Sequence, residues 1–241
     1  LDVKQNPLYE ESGLAYLDTH YYGGIKKYQW TTVPMALHGV IIKKDGTCVP
    51  VNIGEGTDDP VFCISDLLVH LANAQTNKKA VDFIEGEKLD VLIGSQPLAG
   101  EKKNAVKANI LKLLKEKYDV EEDDFISAEI EVVPAGAARD FGLDRSMILS
   151  YGQDDKVCVY TSLMALLAQE KISRTSIALF VDKEETGSLG ATGMQSRFFE
   201  NTMAELLNAC GQYSELALRR TLSSSFMLSA DVCAAYDPLY G

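Results

Sequence analysis

Three carboxylates follow a short apolar run in the second half of the chain. The run is Ile177–Val181, and an Asp-Lys-Glu-Glu sequence at Asp182–Glu185 comes directly after it, before a glycine turn. The length and composition of the run predict a buried parallel strand. Ligands of open α/β sheets lie just past the carboxyl ends of strands, which is where these carboxylates fall.

Two adjacent glutamates that leave a strand point in different directions and can take different roles. One could bind a metal ion through oxygen while the other transfers a proton. A solvated acidic loop is the structural alternative for the same residues. The choice between the two depends on the other acidic positions of the chain.

Two further acidic positions occur at comparable places. Asp154 and Asp155 stand at the start of a predicted helix, and Asp231 ends the apolar run Phe226–Ala230. Carboxylates at a helix start also serve as caps, so Asp154 and Asp155 have a structural explanation. Asp231 follows a predicted buried strand, where a lone charge is costly. Three acidic clusters at one sheet edge would repel one another unless cations lay between them, so the sequence predicts a metal site.

The composition limits the classes of partner. The chain has 241 residues, of which 46% are hydrophobic and 24% charged, and its formal net charge is −12. This acidity argues against nucleic acid or an anionic membrane as the main partner. The five cysteines form no Cys-x-x-Cys pair, which predicts reduced thiols in a cytosolic protein and no thiolate zinc site.

The first half of the chain is predicted to be rich in strands. Asp45-Gly46 lies between the strand-like segments Val33–Ile42 and Thr47–Ile53, which predicts a hairpin. Lys102–Tyr118 has apolar residues at helical spacing and predicts an amphipathic helix. The alternation along Ile126–Val133 predicts another strand. A shorter helix is predicted at Ser65–Leu71.

Helices and apolar runs alternate in the second half. Helices are predicted at Asp155–Gln169 and from about Phe198 to Ala209, with the strands Ile177–Val181 and Phe226–Ala230 between and after them. This alternation is typical of an α/β sheet with crossover connections. The change in pattern places a domain boundary near Ser146.

Several segments together resemble the aspartyl aminopeptidase family, whose members are dinuclear-metal exopeptidases. The resemblance covers essentially the whole chain. The segments that carry it, in chain order, are Lys4–Pro7, Tyr22–Ile25, Trp30, Gly142–Ile148, Gly152–Asp155, Asp182–Ser188 and Ser229–Asp231.

The resemblance implies a role for five residues. Asp154 matches the carboxylate that bridges two metal ions, and Glu184 matches the general base that takes a proton from the attacking water. Glu185 matches a ligand of one metal ion and Asp231 a ligand of the other. His70 lies in a segment that resembles the one whose histidine reaches a neighbouring subunit's active site and contacts the substrate.

The fold implied by the resemblance is α/β. It consists of a three-layer α/β/α metallo-exopeptidase catalytic domain with an inserted β-rich dimerisation domain. Residues 1–6 would end a first catalytic segment, residues 7–145 would form the inserted domain, and residues 146–241 would belong to the catalytic domain.

The implied activity is that of a cytoplasmic aminopeptidase that removes N-terminal residues from peptides, with acidic residues as one candidate preference. Its cofactors would be two divalent metal ions, zinc first, with manganese or cobalt as alternatives. Its partners would be peptide substrates and further copies of the same chain, as dimers that assemble into a dodecamer.

Two departures from the family pattern leave alternatives open. The family supplies two histidine ligands that none of the chain's three histidines matches, so the sequence predicts a central portion of a longer enzyme. The segment Val232–Asp237 lacks histidines found in members close to the animal enzymes, which bears on the acidic preference. One alternative is a metal-free, inactive relative that serves in assembly or peptide binding. Another is a related dinuclear deacylase or glutamyl aminopeptidase.

Overall fold

Alternating apolar side chains build a six-stranded antiparallel sheet in the first half of the chain. The computed structural model describes residues 1–241 and divides into two units, Leu1–Tyr151 and Gly152–Gly241. The order of strands in the sheet is β4-β3-β6-β1-β2-β5. These strands are β1 Asp2–Glu11, β2 Leu14–His20, β3 Met35–Ile42, β4 Cys48–Ile53, β5 Val91–Gly94 and β6 Ala128–Pro134.

Short hairpins fix the register of the sheet. The first links β1 to β2 through Ser12 and Gly13, which have φ values of 52° and 82°. Positive φ at both central residues gives a turn whose twist matches that of the paired strands. The predicted hairpin at Asp45-Gly46 is confirmed, since β3 and β4 pair antiparallel from Leu37 with Ile53 to Ile42 with Cys48.

One long helix packs on this sheet. The helix predicted at Lys102–Tyr118 is confirmed as α3, Ala105–Tyr118. Two helices of four residues each precede it, α1 Asn73–Thr76 and α2 Ala80–Phe83. The carboxylate of Glu10 accepts hydrogen bonds from the backbone N–H groups of Val106 and Lys107, at 2.9 and 3.0 Å. Glu10 therefore satisfies amide groups that have no partner within the helix. The sheet and its helix enclose a hydrophobic core. Its fully buried apolar side chains include Met35, Ile64, Leu89, Val91 and Val132.

The remaining elements of the first unit are short. The strand predicted at Ile126–Val133 is confirmed as β6, although its first residues lie in the 3-10 helix Glu122–Ser127. The helix predicted at Ser65–Leu71 is reduced to the 3-10 turn Val69–Leu71. Other 3-10 turns are Lys27–Gln29 and Gly86–Lys88. A separate two-stranded sheet is formed by β7 Arg139–Phe141 and β8 Met147–Leu149.

Three helices form the second unit. They are α4 Gln153–Leu167, α5 Phe198–Ala209 and α6 Glu215–Ser223, with the 3-10 turn Glu184–Thr186 between α4 and α5. Helices α4 and α5 confirm the two helices predicted for this unit. Helix α6 was not predicted, although Ser214 caps it by accepting a hydrogen bond from the backbone N–H of Ala217 at 3.0 Å.

The two strands predicted for the second unit are wrong for this structure. Ile177–Val181 and Phe226–Ala230 belong to no strand. Phe226 and Leu228 are each 83% exposed, so Asp231 does not follow a buried segment. A strand requires hydrogen-bonded neighbours, and these two segments pair neither with each other nor with another part of the chain. The chain is mixed α/β, as predicted, but its main sheet is antiparallel.

No helix of the structure combines the length and the apolar character that a membrane crossing requires.

A network of hydrogen bonds links strands β1 and β2 to Leu89 and Asp90, which precede β5. The hydroxyl of Tyr9 donates to Asp90 Oδ2 at 2.5 Å, and the backbone N–H of Thr19 donates to Asp90 Oδ1 at 3.1 Å. The buried hydroxyl of Thr19 donates to the carbonyl of Leu89 at 2.8 Å. Burial raises the pKa of Asp90, against the lowering effect of these donors. The network ties β1 and β2 to the residues that precede β5.

We expect Tyr9→Phe to destabilise the protein, because the Asp90 carboxylate loses its side-chain donor. A hydrogen bond to a charged group is worth about 1.5 kcal/mol or more, and this sets the expected loss in unfolding free energy. Urea unfolding measures it. Tyr16→Phe is the matched control, since Tyr16 stacks on Tyr9 with ring centroids 5.3 Å apart and its hydroxyl makes no hydrogen bond. Equal losses in both variants would contradict the network's role.

A second prediction concerns Asp119, the residue that ends α3. Its carboxylate accepts from Lys115 Nζ and Lys43 Nζ, both at 2.6 Å. The hydrogen bonds from Lys115 and then Lys43 lower the pKa of Asp119 to about 2. The unfolded value is about 3.9, so the ion pairs stabilise the fold above about pH 4. That contribution is lost as the pH falls towards 2.

Asp119→Asn should therefore be less stable than the wild type at pH 7, and the difference should narrow as the pH falls from 5 to 2. Asn is a suitable replacement because Asp119 has φ 53°, a conformation that Asn tolerates. Urea midpoints at several pH values measure the difference. Asp58→Asn, at an exposed position, is the control. A difference that stays constant between pH 5 and 2 would refute the prediction.

Candidate functional site

Asp154 and Asp155 lie where α4 begins. Gly152 precedes the helix with φ 73°, and no side chain makes a capping hydrogen bond there. The backbone of Asp154 (φ −87°, ψ 112°) and Asp155 (φ −117°, ψ 21°) departs from helical values. Both carboxylates are exposed. The capping role considered for Asp155 is therefore not what the structure shows.

The charge of Asp231 acts on a residue of α4, Cys158, although the two residues are far apart along the chain. Burial raises the pKa of the Cys158 thiol, and the neighbouring Asp155 carboxylate raises it further. The charges of Asp231 and Asp154 act on the same thiol in the same direction. Two of the three predicted metal ligands thus lie within electrostatic reach of one sulfur atom. The Asp231 carboxylate also accepts a hydrogen bond from the backbone N–H of Val232 at 2.7 Å.

Glu184 and Glu185 share the 3-10 turn Glu184–Thr186. Lys183 precedes the turn with φ 65° and Gly187 follows it with φ 81°. Both glutamates are exposed. Asp182 braces the base of the turn, because its backbone N–H donates to the carbonyl of Thr192 at 3.2 Å and its carboxylate accepts from the Thr192 hydroxyl at 3.4 Å.

His70 lies in the first unit, in the 3-10 turn Val69–Leu71. It is exposed, and so are the apolar side chains on either side of it. Val69 is 74% exposed and Leu71 is 68% exposed. The structure therefore places His70 on an apolar surface segment of the chain.

The carboxylate oxygens of these acidic residues are atoms that can bind zinc. The charges of Asp154 and Asp231 both act on the Cys158 thiol. The structure gathers no group of three or more His, Cys, Asp or Glu side chains in an arrangement that could hold a metal ion. Like charges repel, so exposed carboxylates on separate segments stay apart unless something holds them together. The structure therefore does not group Asp154, Glu185 and Asp231 into one metal site.

Sequence reasoning missed the residues that pack against the Glu184 turn. Thr192, Gly193 and Gln195 contact its backbone. Gly193 marks a close backbone approach in this part of the chain, whereas Gly187 and Gly190 have positive φ values of 81° and 90°. The sequence contains no signal for the contacts of Gln195, because these depend on how the chain folds back on itself.

Comparison with known proteins identifies the family of the chain. A family model described as "Aminopeptidase I zinc metalloprotease (M18)" matches residues 1–241. A probable M18 family aminopeptidase 1 of Clostridium acetobutylicum is 62% identical over 241 residues, which are 100% of this chain and 52% of that protein.

Solved structures agree with this match. The crystal structure of aminopeptidase I from Clostridium acetobutylicum has a TM-score of 0.84 and 60% identity, over 99% of this chain and 52% of its own. An M18 aminopeptidase from Thermotoga maritima also has a TM-score of 0.84, with 47% identity over 100% of this chain and 53% of its own.

The chain spans about half the length of the curated relatives it matches. The family model confirms the resemblance that the motifs carry, and the relatives are named as aminopeptidases. The alternative of a metal-free, inactive relative gains no support from these matches. The chain belongs to the M18 family of zinc metalloproteases, the aminopeptidase I family.

Proposed function

We propose that this chain forms part of a zinc-dependent aminopeptidase that removes residues one at a time from the N-termini of peptides. The observation that carries the proposal is the match to the zinc metalloprotease family along all 241 residues. By the resemblance of the motifs, we assign the site roles to Asp154, Glu184, Glu185 and Asp231.

The metal centre that we propose holds two ions. Asp154 would bridge them, Glu185 would bind one and Asp231 the other. The charges of Asp154 and Asp231 both raise the pKa of the Cys158 thiol, which supports a shared location for two of these ligands. Zinc, when bound, lowers the pKa of a water ligand and polarises the carbonyl of the scissile bond. Manganese and cobalt are the alternatives, since carboxylate sites accept them too.

Glu184 is the proposed general base. Glu184 and Glu185 are neighbours on one short turn. One carboxylate can therefore accept a proton while the other binds a metal ion. Glu184 takes a proton from the attacking water and can return it to the amine that leaves. The exposure of this turn leaves its carboxylate accessible to a peptide.

The assembly that we propose is a homo-oligomer of dimers, with a dodecamer as its final form. Residues 7–145 would be the dimerisation domain inserted into the catalytic domain. The exposed apolar residues around His70, such as Val69 and Leu71, support burial of this segment against another subunit. His70 would then contact the substrate in the neighbouring active site. The mass of the protein in solution tests this assembly.

The net charge of −12 fits a protein that binds neither nucleic acid nor anionic membranes. We place the enzyme in the cytoplasm, where its five unpaired cysteines would stay reduced. Acidic residues are one candidate for the N-terminal residue that the enzyme prefers.

The decisive experiment measures zinc content and aminopeptidase activity together. The native protein should contain about two zinc ions per chain and should release free amino acids from a panel of aminoacyl substrates that includes Asp, Glu, Leu and Lys. A chelator should abolish the activity, and added zinc should restore it. A native protein without metal and without activity on any substrate would refute the proposed function.

Glu184→Gln should lower kcat by about 10²–10⁴-fold and leave zinc content unchanged, because it removes a base and no metal ligand. Steady-state kinetics and elemental analysis measure the two effects. Glu205→Gln is the matched control, since Glu205 is an exposed glutamate of α5, and it should retain full activity. Full activity in Glu184→Gln would exclude Glu184 as the base.

Asp154→Asn should lose zinc and activity together, because it removes a bridging ligand. Loss of a residue that only supports a metal ligand costs about 10–100-fold in affinity, so loss of a ligand should cost at least that much. Zinc affinity is measured by competition with a chelator. Asp237→Asn, at an exposed aspartate of the same unit, is the control. Unchanged zinc affinity in Asp154→Asn would contradict the ligand assignment.

A further inference from the structure

The turn that carries Glu184 and Glu185 has a strained backbone. Lys183 and Ser188 have φ values of 65° and 60°, in the left-handed region that residues with a side chain rarely adopt. Two such residues flank a turn of only a few residues. Conformations of this kind persist where the surrounding structure holds them in place. The contacts that hold this turn are therefore of functional interest.

Part of the support comes from within the turn. The carbonyl of Lys183 accepts hydrogen bonds from the backbone N–H of Thr186 at 3.3 Å and of Ser188 at 2.8 Å. It also accepts from the Thr186 hydroxyl at 3.0 Å. The backbone N–H of Gly187 donates to the carbonyl of Glu184 at 2.8 Å. These bonds close the turn but do not involve the carbonyls of Gly187 and Ser188.

A second segment, Thr192–Gln195, binds those two carbonyls. The side-chain Nε2 of Gln195 donates to the carbonyl of Gly187 at 2.5 Å. The backbone N–H of the same residue donates to the carbonyl of Ser188 at 3.1 Å. Gln195 thus holds two consecutive peptide groups at the end of the turn, while Thr192 holds Asp182 at its beginning.

Gly193 allows this close approach. It is buried, and a Cβ atom at this position would lie 2.1 Å from the carbonyl oxygen of Ser188 and 2.6 Å from that of Leu189. Both atoms belong to the backbone, so they cannot move aside as a flexible side chain would. Only glycine fits where the segment crosses the end of the turn.

We propose that Gln195 is a positioning residue for Glu184 and Glu185, and that Gly193 is the glycine its approach requires. The proposal rests on the proposed function, because it assigns to the segment the task of holding the base and a zinc ligand in place. Gln195 touches neither carboxylate. It acts by fixing the two peptide groups that close the turn, and thereby the direction in which the turn presents both glutamates.

The test uses Gln195→Ala in the native, zinc-loaded protein. Residues that orient metal ligands typically contribute about 10–100-fold to metal affinity or activity. We expect kcat to fall at least about tenfold, with KM changed by less than about twofold, because geometry is lost and binding surface is not. Zinc affinity, measured by chelator competition, should fall by a similar factor because Glu185 lies on the same turn.

Gln169→Ala is the matched control. Gln169 also donates its side-chain Nε2 to a backbone carbonyl of the same unit, that of Ala165 at 3.2 Å, but it lies just beyond the end of α4. This variant should keep the wild-type kcat and zinc affinity. Gly193→Ala should have a larger effect than Gln195→Ala, about 100-fold in kcat where it folds, because its methyl group displaces the turn itself.

Hydrogen exchange of the amides in Asp182–Ser188 gives a readout that does not depend on activity. Exchange there should be faster in Gln195→Ala than in the wild type, and unchanged in Gln169→Ala. Wild-type kinetics, zinc affinity and exchange in Gln195→Ala would overturn the proposal, as would equal losses in both glutamine variants. An inactive wild-type protein would refute the proposed function instead, and exchange alone would then decide whether Gln195 holds the turn.

Discussion

The backbone of a strand is stable only when neighbouring strands satisfy its hydrogen bonds, and this requirement separates the two units of the chain. In the first unit, each of six strands finds an antiparallel neighbour. Leu17 and Val132 are accordingly buried. In the second unit, the apolar segments Ile177–Val181 and Phe226–Ala230 have no such neighbour and form no ladder. Their side chains are largely exposed, although their composition is that of strands.

The same constraint governs the acidic residues. A carboxylate is positioned by the backbone that carries it, and a loop that no sheet holds must be fixed by other contacts. The Glu184 turn is fixed by its own hydrogen bonds and by Gln195, which explains how it keeps two left-handed residues without a strand before it. Asp231 follows an exposed segment and hydrogen-bonds only its own neighbour, Val232. The Glu184 turn is therefore held by more hydrogen bonds than the segment around Asp231.

Local sequence patterns predicted the elements whose stability is local. The Asp45-Gly46 hairpin and α3 formed because turn residues and helical periodicity depend on a few neighbouring positions. Both β7 and β8, each of three residues, are too short for such patterns. Helix α6 was not predicted even though its N-cap, Ser214, is a local helix-start signal. The predicted parallel strands failed for a different reason. Apolar composition shows that a segment can pair, but not that a partner is present.

The sequence by itself determined the family, the mixed α/β class and the identities of the candidate residues Asp154, Glu184, Glu185 and Asp231. These follow from residue types in a fixed order, which folding does not alter. Only the tertiary structure decided which residues meet. It showed that the charges of Asp231 and Asp154 both act on the Cys158 thiol, that Asp90 links β1 to β2, and that Gln195 holds the Glu184 turn. Contacts between residues distant in sequence depend on the path of the whole chain, which no local pattern contains.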